Sequence, residues 1–251
     1  MRRRLALGSL TLGSLALMLV LAPMPPRAEA SDALSLVKQA SEVYAKEVRG
    51  VVGFRALIDS QISAPIFNQK TRTEAFVIHQ DGIPVRLVMK RLLTNGKPES
   101  QERVESQEAQ SNANFRDGKG FFKPPYDARY MGAYTFAFED CAGCADGMTA
   151  IRFTSAVKDD QHGKGVMILD AAKRVREVRY IPNVFPPSVT RASLTLTRDE
   201  VGQDLVGIRS LKADYHGSRG PIKGSFALDQ RNEGFRRYAS LEEAIAQAGK
   251  P

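Results

Sequence analysis

A change of hydrophobic period at Gly50 constrains this chain more than any other feature. Before it, in SDALSLVKQASEVYAKEVRG (31–50), Leu36, Val37, Ala40, Val43, Tyr44 and Val48 recur at helical spacing. Ser31 or Asp32 can cap that helix and Gly50 can end it. After it, in VVGFRALIDSQISA (51–64), Val52, Phe54, Ala56, Ile58 and Ile62 share one face of a strand, and Arg55, Asp59 and Gln61 take the other. The two-residue period then returns in about ten runs. TEAFVIHQ and IPVRLVMKRLL meet at Asp81-Gly82, a strong hairpin signal, and Ile83, Val85, Leu87 and Met89 alternate with Arg86 and Lys90. RYMGAYTFAFED places Tyr134, Phe136 and Phe138 on one face, and MTAIRFTSAV, GVMILD, RVREVRYI, SVTRASLTLTRDE, DLVGIRSLKADYHG and a short IKGSFALD follow. SLEEAIAQA carries a capping box, Ser240 with Glu243.

Helix, about ten tightly connected strands, helix: the pattern predicts a mainly β (α+β) chain, a curved antiparallel meander with helices packed on its inner face. A β-sandwich is the alternative. TNGKPESQERVESQEAQSNANFRDGKG (94–120) is polar and almost without apolar anchors, and is expected to be a long exposed loop with at most a turn or two of helix.

Residues 1–30 have the layout of a secretory signal peptide. Arg2, Arg3 and Arg4 precede an apolar stretch from Leu5 to about Leu21, and Ala28 and Ala30 fit a small-x-small cleavage site. Residues 31–251 are then expected to form one exported domain, periplasmic or otherwise extracytoplasmic. Without the leader, 36 basic and 28 acidic residues become 32 and 27, a net charge of +5. The basic residues are spread along the strands, which disfavours nucleic acid and is compatible with contact at an anionic membrane surface.

Both cysteines lie in EDCAGCADG, as Cys141-Ala-Gly-Cys144. The motif falls between two strands, whereas redox-active pairs usually sit at a helix N-terminus that lowers one thiol's pKa. Haem attachment needs a histidine at position 145, which is Ala, and a zinc site needs about four ligands. In an oxidising compartment a structural disulfide is the expectation, with thiol–disulfide exchange as the alternative.

His162 beside Asp159 and Asp160 in KDDQHGKG invites a catalytic reading, but adjacent acids in a turn are commonly just solvated. No local catalytic, metal or cofactor signature accompanies it. The sequence therefore points to a non-enzymatic protein with no cofactor. Several strands carry apolar residues on both faces, so a second cover or an apolar ligand is expected on the face opposite the helices.

GVMILDAAKRVREVRY (165–180), a glycine-led strand that ends in Asp, turns and returns with alternating apolar residues, resembles the strand–turn–strand of the outer-membrane lipoprotein-sorting superfamily. EGFRRYAS (233–240) is similar to the closing segment of exported relatives in that group. The resemblance implies an incomplete, half β-barrel with helices as a lid, whose apolar interior binds the acyl chains of a lipid or lipoprotein. An envelope scaffold or sensor that binds a protein partner is the other role it implies. Alternation alone selects Phe54, Ile58, Val85, Leu87, Tyr134, Phe136 and Phe138 as cavity-lining candidates.

Overall fold

Each run of period two becomes a strand of one antiparallel sheet. The computed structural model describes residues 27–119, 121–141, 144–185, 187–202, 205–219 and 222–249. The leader expected over residues 1–30 lies, as far as residue 26, outside the described residues. Helix α1 (Arg27–Glu47) leads into β1 (Val51–Ala64), β2 (Phe67–Gln80), β3 (Ile83–Thr94) and the two-residue β4 (Lys97–Pro98). After α2 (Gln101–Arg116) come β5 (Tyr134–Glu139), β6 (Thr149–Ser155), β7 (Gly163–Leu169), β8 (Val175–Pro182), β9 (Val189–Gly202), β10 (Leu205–Arg219) and β11 (Ile222–Tyr238), then α3 (Leu241–Ala248).

The eleven strands form a curved, unclosed sheet in the order β4-β3-β2-β1-β11-β10-β9-β8-β7-β6-β5. Every neighbouring pair is consecutive in the chain except one, β1 and β11. The chain leaves the meander after β4, crosses to the far edge as β5, and works back until β11 pairs with β1 from Val51↔Tyr238 to Ser63↔Ser225. The β1–β11 ladder therefore joins two sub-sheets through strands that lie more than a hundred residues apart in the sequence. A β-sandwich is not formed.

The buried stripe of α1, Ala33, Val37, Ala40 and Tyr44, packs on Phe136, Ile151, Phe153, Met167 and Val178 of the β5–β8 half. Opposite faces of β2 show which side this is. Val77 shares the inner face with Phe54 and Leu87, whereas Phe76 and Ile78 point outward to Val85, Val88, Tyr238, Leu241 and Ala244. Thus α3 covers the outer face, contrary to the expectation that both terminal helices lie inside. Its apolar residues Leu241, Ala244 and Ala248 recur at helical spacing, which reveals a helix but not the face it covers.

The polar stretch 94–120 is corrected most. It contains Asn95-Gly96 with both φ values positive, a tight hairpin turn into β4, and then the 16-residue α2. Ser100 caps α2 by accepting from the Arg103 N–H. The helix shows no apolar stripe because it docks through amides and carboxylates. Asn112 accepts from the Leu87 N–H at 2.8 Å and donates to the Leu87 carbonyl at 2.9 Å, and Glu108 accepts from the Met89 N–H. These side chains replace the missing strand along the open edge of β3. The last strand, expected to be short, runs for 17 residues, since Gln230 and Asn232 occupy inner-face positions where apolar residues would have revealed it.

Candidate functional site: an apolar cavity inside the half-barrel

The concave face of the sheet, α1 and the segment 121–130 enclose a cavity of about 430 Å³, within the roughly 300–1,000 Å³ of small-molecule sites. Its walls come from both sub-sheets: Phe54, Ile58, Val77 and Leu87 on one side, Leu194, Leu196, Ile208 and Leu211 on the other. Phe235 and Phe54 stack at 4.8 Å between them, and Phe115 of α2 reaches in beside Leu87. Phe121, Phe122, Pro124 and Tyr130 form the remaining wall. That segment is anchored by Tyr134, whose hydroxyl donates to the Lys123 carbonyl at 2.6 Å, and by the Lys123 N–H, which donates to the Gln161 carbonyl.

Of the seven expected lining residues, the structure brings three together here: Phe54, Ile58 and Leu87. Val85 is turned away by a bulge. Ile78 pairs with Arg86 and His79 with Pro84, so Val85 is an extra residue and packs on the outer face, while Pro84 faces inward. Tyr134 and Phe136 are core residues under α1, and Phe138 is 43% exposed near the end of the edge strand β5. Aromatic alternation marks a buried face without saying whether a helix or a ligand covers it.

Alternation missed the far wall. Phe226, Leu228, Gln230 and Asn232 keep period two, and then Gly234, with φ +64°, inserts a bulge that aims Phe235 inward opposite Phe54. A glycine inside a strand is the available signal. A second shift, between Ile208 and Ser210, likewise brings both Ile208 and Leu211 to the cavity.

Polar groups cluster at one part of the wall. Arg198, with its side chain 2% exposed, approaches Glu47 of α1 at 3.0 Å, and its guanidinium lies over the Tyr44 ring at 4.9 Å and the Tyr126 ring at 5.9 Å. Burial pushes the Tyr44 hydroxyl up to about 12 and that of Tyr126 higher still, so both stay neutral. Nearby, Asp127 is buried and forked by Arg129, with Nε to Oδ1 at 2.9 Å. His79 also lines the wall, edge-on to Phe54 at 5.0 Å. Burial lowers its pKa to about 4, which keeps the ring uncharged at neutral pH.

The remaining candidates lie elsewhere. Cys141 and Cys144 form a disulfide in the β5–β6 hairpin. His162 is buried, and of the two acids beside it Asp160 is exposed. Its Nδ1 lies 2.9 Å from Asp159, and its ring packs near Tyr134, within the turn that anchors segment 121–130. Among the described residues no three His, Cys, Asp or Glu side chains gather as a metal site, and no helix is long and apolar enough to cross a membrane.

No family model matches the chain, and no curated protein matches it. Solved structures do. A putative outer membrane lipoprotein-sorting protein domain from Vibrio parahaemolyticus aligns at 13% identity over 85% of this chain and 95% of that one, with a TM-score of 0.43. A DUF1329 family protein from Desulfovibrio piger aligns at 12% identity over 86% and 96%, TM-score 0.40. A LolA superfamily protein from Nitrosomonas europaea aligns at 10% identity over 84% and 95%, TM-score 0.37.

Proposed function

We propose that this is an exported, non-enzymatic protein that holds the acyl chain of a lipid in the cavity of its half-barrel. One observation carries the reading: a cavity of about 430 Å³ whose walls are mainly aliphatic and aromatic outside one polar cluster, built from both sub-sheets and bordered by α1 and segment 121–130. Empty, such a cavity forfeits dispersion contacts along its lining. Filled by an acyl chain, it gains up to ~0.8 kcal/mol for each CH₂ group removed from water. Uncharged His79 and the neutral tyrosines keep the interior compatible with that occupant. The disulfide, on a hairpin at the sheet's far edge, is read as a local staple with no part in binding.

The hairpin joining β1 and β2 supplies a route to the membrane. Ile66 is 85% exposed and Phe67 50% at its tip, with Lys70 and Arg72 following on β2. Apolar tips backed by basic residues suit an anionic lipid surface.

Native mass spectrometry of the mature protein, purified from an exporting host without detergent, tests the reading. A stoichiometric lipid-sized adduct is expected. A clean ligand-free mass that stays unchanged after incubation with lipid would refute it.

A further inference from the structure

The charged cluster of the cavity wall is closed to a ligand, and a histidine on the facing wall is open to one. Arg198 Nη2 lies 3.0 Å from Glu47 Oε2, and both Glu47 oxygens and Arg198 Nη1 are buried with almost no accessible surface. Tyr44 and Tyr126 cover the guanidinium face, and Arg129 is forked by Asp127. The ionised side chains of the wall therefore balance, Glu47 and Asp127 against Arg198 and Arg129. Behind them Arg174, which reaches Glu47 at 3.6 Å, is matched by Glu200. The wall offers no uncompensated counter-charge, and an ionised head desolvated without one is strongly disfavoured.

His79 is different. It shares the inner face of β2 with Val77, pairs with Val52 of β1 and lines the cavity. The residue is half-buried rather than sealed, and desolvation alone moves its pKa, so the surface it keeps faces the cavity and not bulk water. Among the described residues its ring makes no hydrogen bond. Asp81, the nearest acid along the chain, turns away to accept from the Gly50 N–H at 2.8 Å. A neutral imidazole carries one N–H donor and one acceptor lone pair, and here both are unused. The other wall amides are satisfied, since Gln230 donates to Asn232 and Asn232 to the Ile208 carbonyl. Away from His79 the cavity becomes mainly apolar. Ile58 lies roughly 20 Å of strand from Val52 along β1, and just beyond it Leu228, Ala213 and Leu194 pair straight across β11, β10 and β9.

Resting on the cavity reading above, we infer that the ligand's head is uncharged: the site takes a neutral amphiphile of the monoacylglycerol type, whose ester or hydroxyl group bonds the His79 ring while its tail runs toward Ile58, Leu194, Ala213 and Leu228. An ester carbonyl accepts from the imidazole N–H, and a hydroxyl donates to the ring's lone pair. Neither asks the wall for a counter-charge.

Monopalmitoylglycerol, palmitate and hexadecylamine share one saturated tail and differ in the head, so their affinities for the mature protein at pH 7 test this without mutation. The glyceride is expected to bind about tenfold more tightly than either ion, the scale of one added hydrogen bond. The chain has three histidines, so ring ¹⁵N spectra report on His79 directly. Its signals are expected to shift on saturation with the glyceride, and those of His162 and His216 to stay in place. His79→Phe removes both bonding groups and should lower glyceride affinity about three- to tenfold, while His79→Gln, which keeps a donor and an acceptor, should retain most of it. Equal affinities for the three ligands, tighter binding of either ion, or an unmoved His79 signal at saturation would overturn the head assignment and leave the cavity reading standing. So would unchanged glyceride affinity in a folded His79→Phe protein. Failure of all three to bind would remove the cavity reading itself.

Discussion

Phe235 and Val85 show what single residues did and did not disclose. Strict alternation puts Phe54, Ile58 and Leu87 on the concave face, where they line the cavity, because no irregularity separates Phe54 from Ile58, and Leu87 lies beyond the bulge at Val85. It fails where a strand carries an extra residue: Val85 turns outward, and Gly234 brings Phe235 inward. Such a bulge is an agreement between two strands, so neither strand's sequence reveals it alone. His79 yields the prediction at this scale. Its ring stays neutral in the fold until the pH approaches about 4, whereas in the unfolded chain it takes up a proton below the ordinary histidine value of 6.5. Stability is therefore complete above 6.5 and declines as the pH falls toward 4, because the unfolded state binds the extra proton. A loss of about 1–3 kcal/mol across that window is expected from this residue. Chemical denaturation at pH 7 and pH 4.5 measures it: His79→Phe should show a smaller drop than the parent, and equal drops would contradict the assignment.

At the scale of elements, α1 and the capped α3 are legible because each has an apolar stripe or a cap, and most strands are legible by period. α2 is not, since apart from Phe115 it holds the sheet edge through polar side chains. Asn112 lends both halves of its amide to Leu87, and Glu108 accepts from Met89, so an edge strand is satisfied by side chains rather than by a twelfth strand. Nothing in QERVESQEAQSNANFR distinguishes that arrangement from a solvated loop. Asn112→Ala leaves a buried N–H and a buried carbonyl without partners and should cost about 2–6 kcal/mol, at 1–3 for each stranded group. Urea unfolding gives the value, and hydrogen exchange should show Leu87 and Met89 losing protection ahead of β1 and β11. A change under about 0.5 kcal/mol, in the range of ordinary surface substitutions, would mean that α2 does not seal this edge.

At the scale of the molecule, the sheet is completed only by the β1–β11 ladder, and the cavity lies on the concave side of that seam. Sequence order predicts a meander but not which two distant strands close it, which is why alternation selects Phe54 and Leu87 on one wall and not Leu194, Leu211 and Phe235. The same seam carries the exposed β1–β2 tip away from α1. Liposome co-sedimentation should reveal binding to anionic vesicles that weakens severalfold in Ile66→Asp/Phe67→Asp and at high salt. Equal binding by parent and variant would place membrane contact elsewhere. The chain contains no tryptophan, so one introduced residue reports without background. The most direct test of an occupied interior compares Phe235→Trp, on the cavity wall, with Tyr238→Trp, on the outer face, during titration with a fatty acid brominated along its chain. Saturable, one-to-one quenching at position 235 and none at position 238 is what an acyl chain inside the half-barrel predicts. Equal quenching at both positions, or none at either, would show that the chain does not enter the cavity.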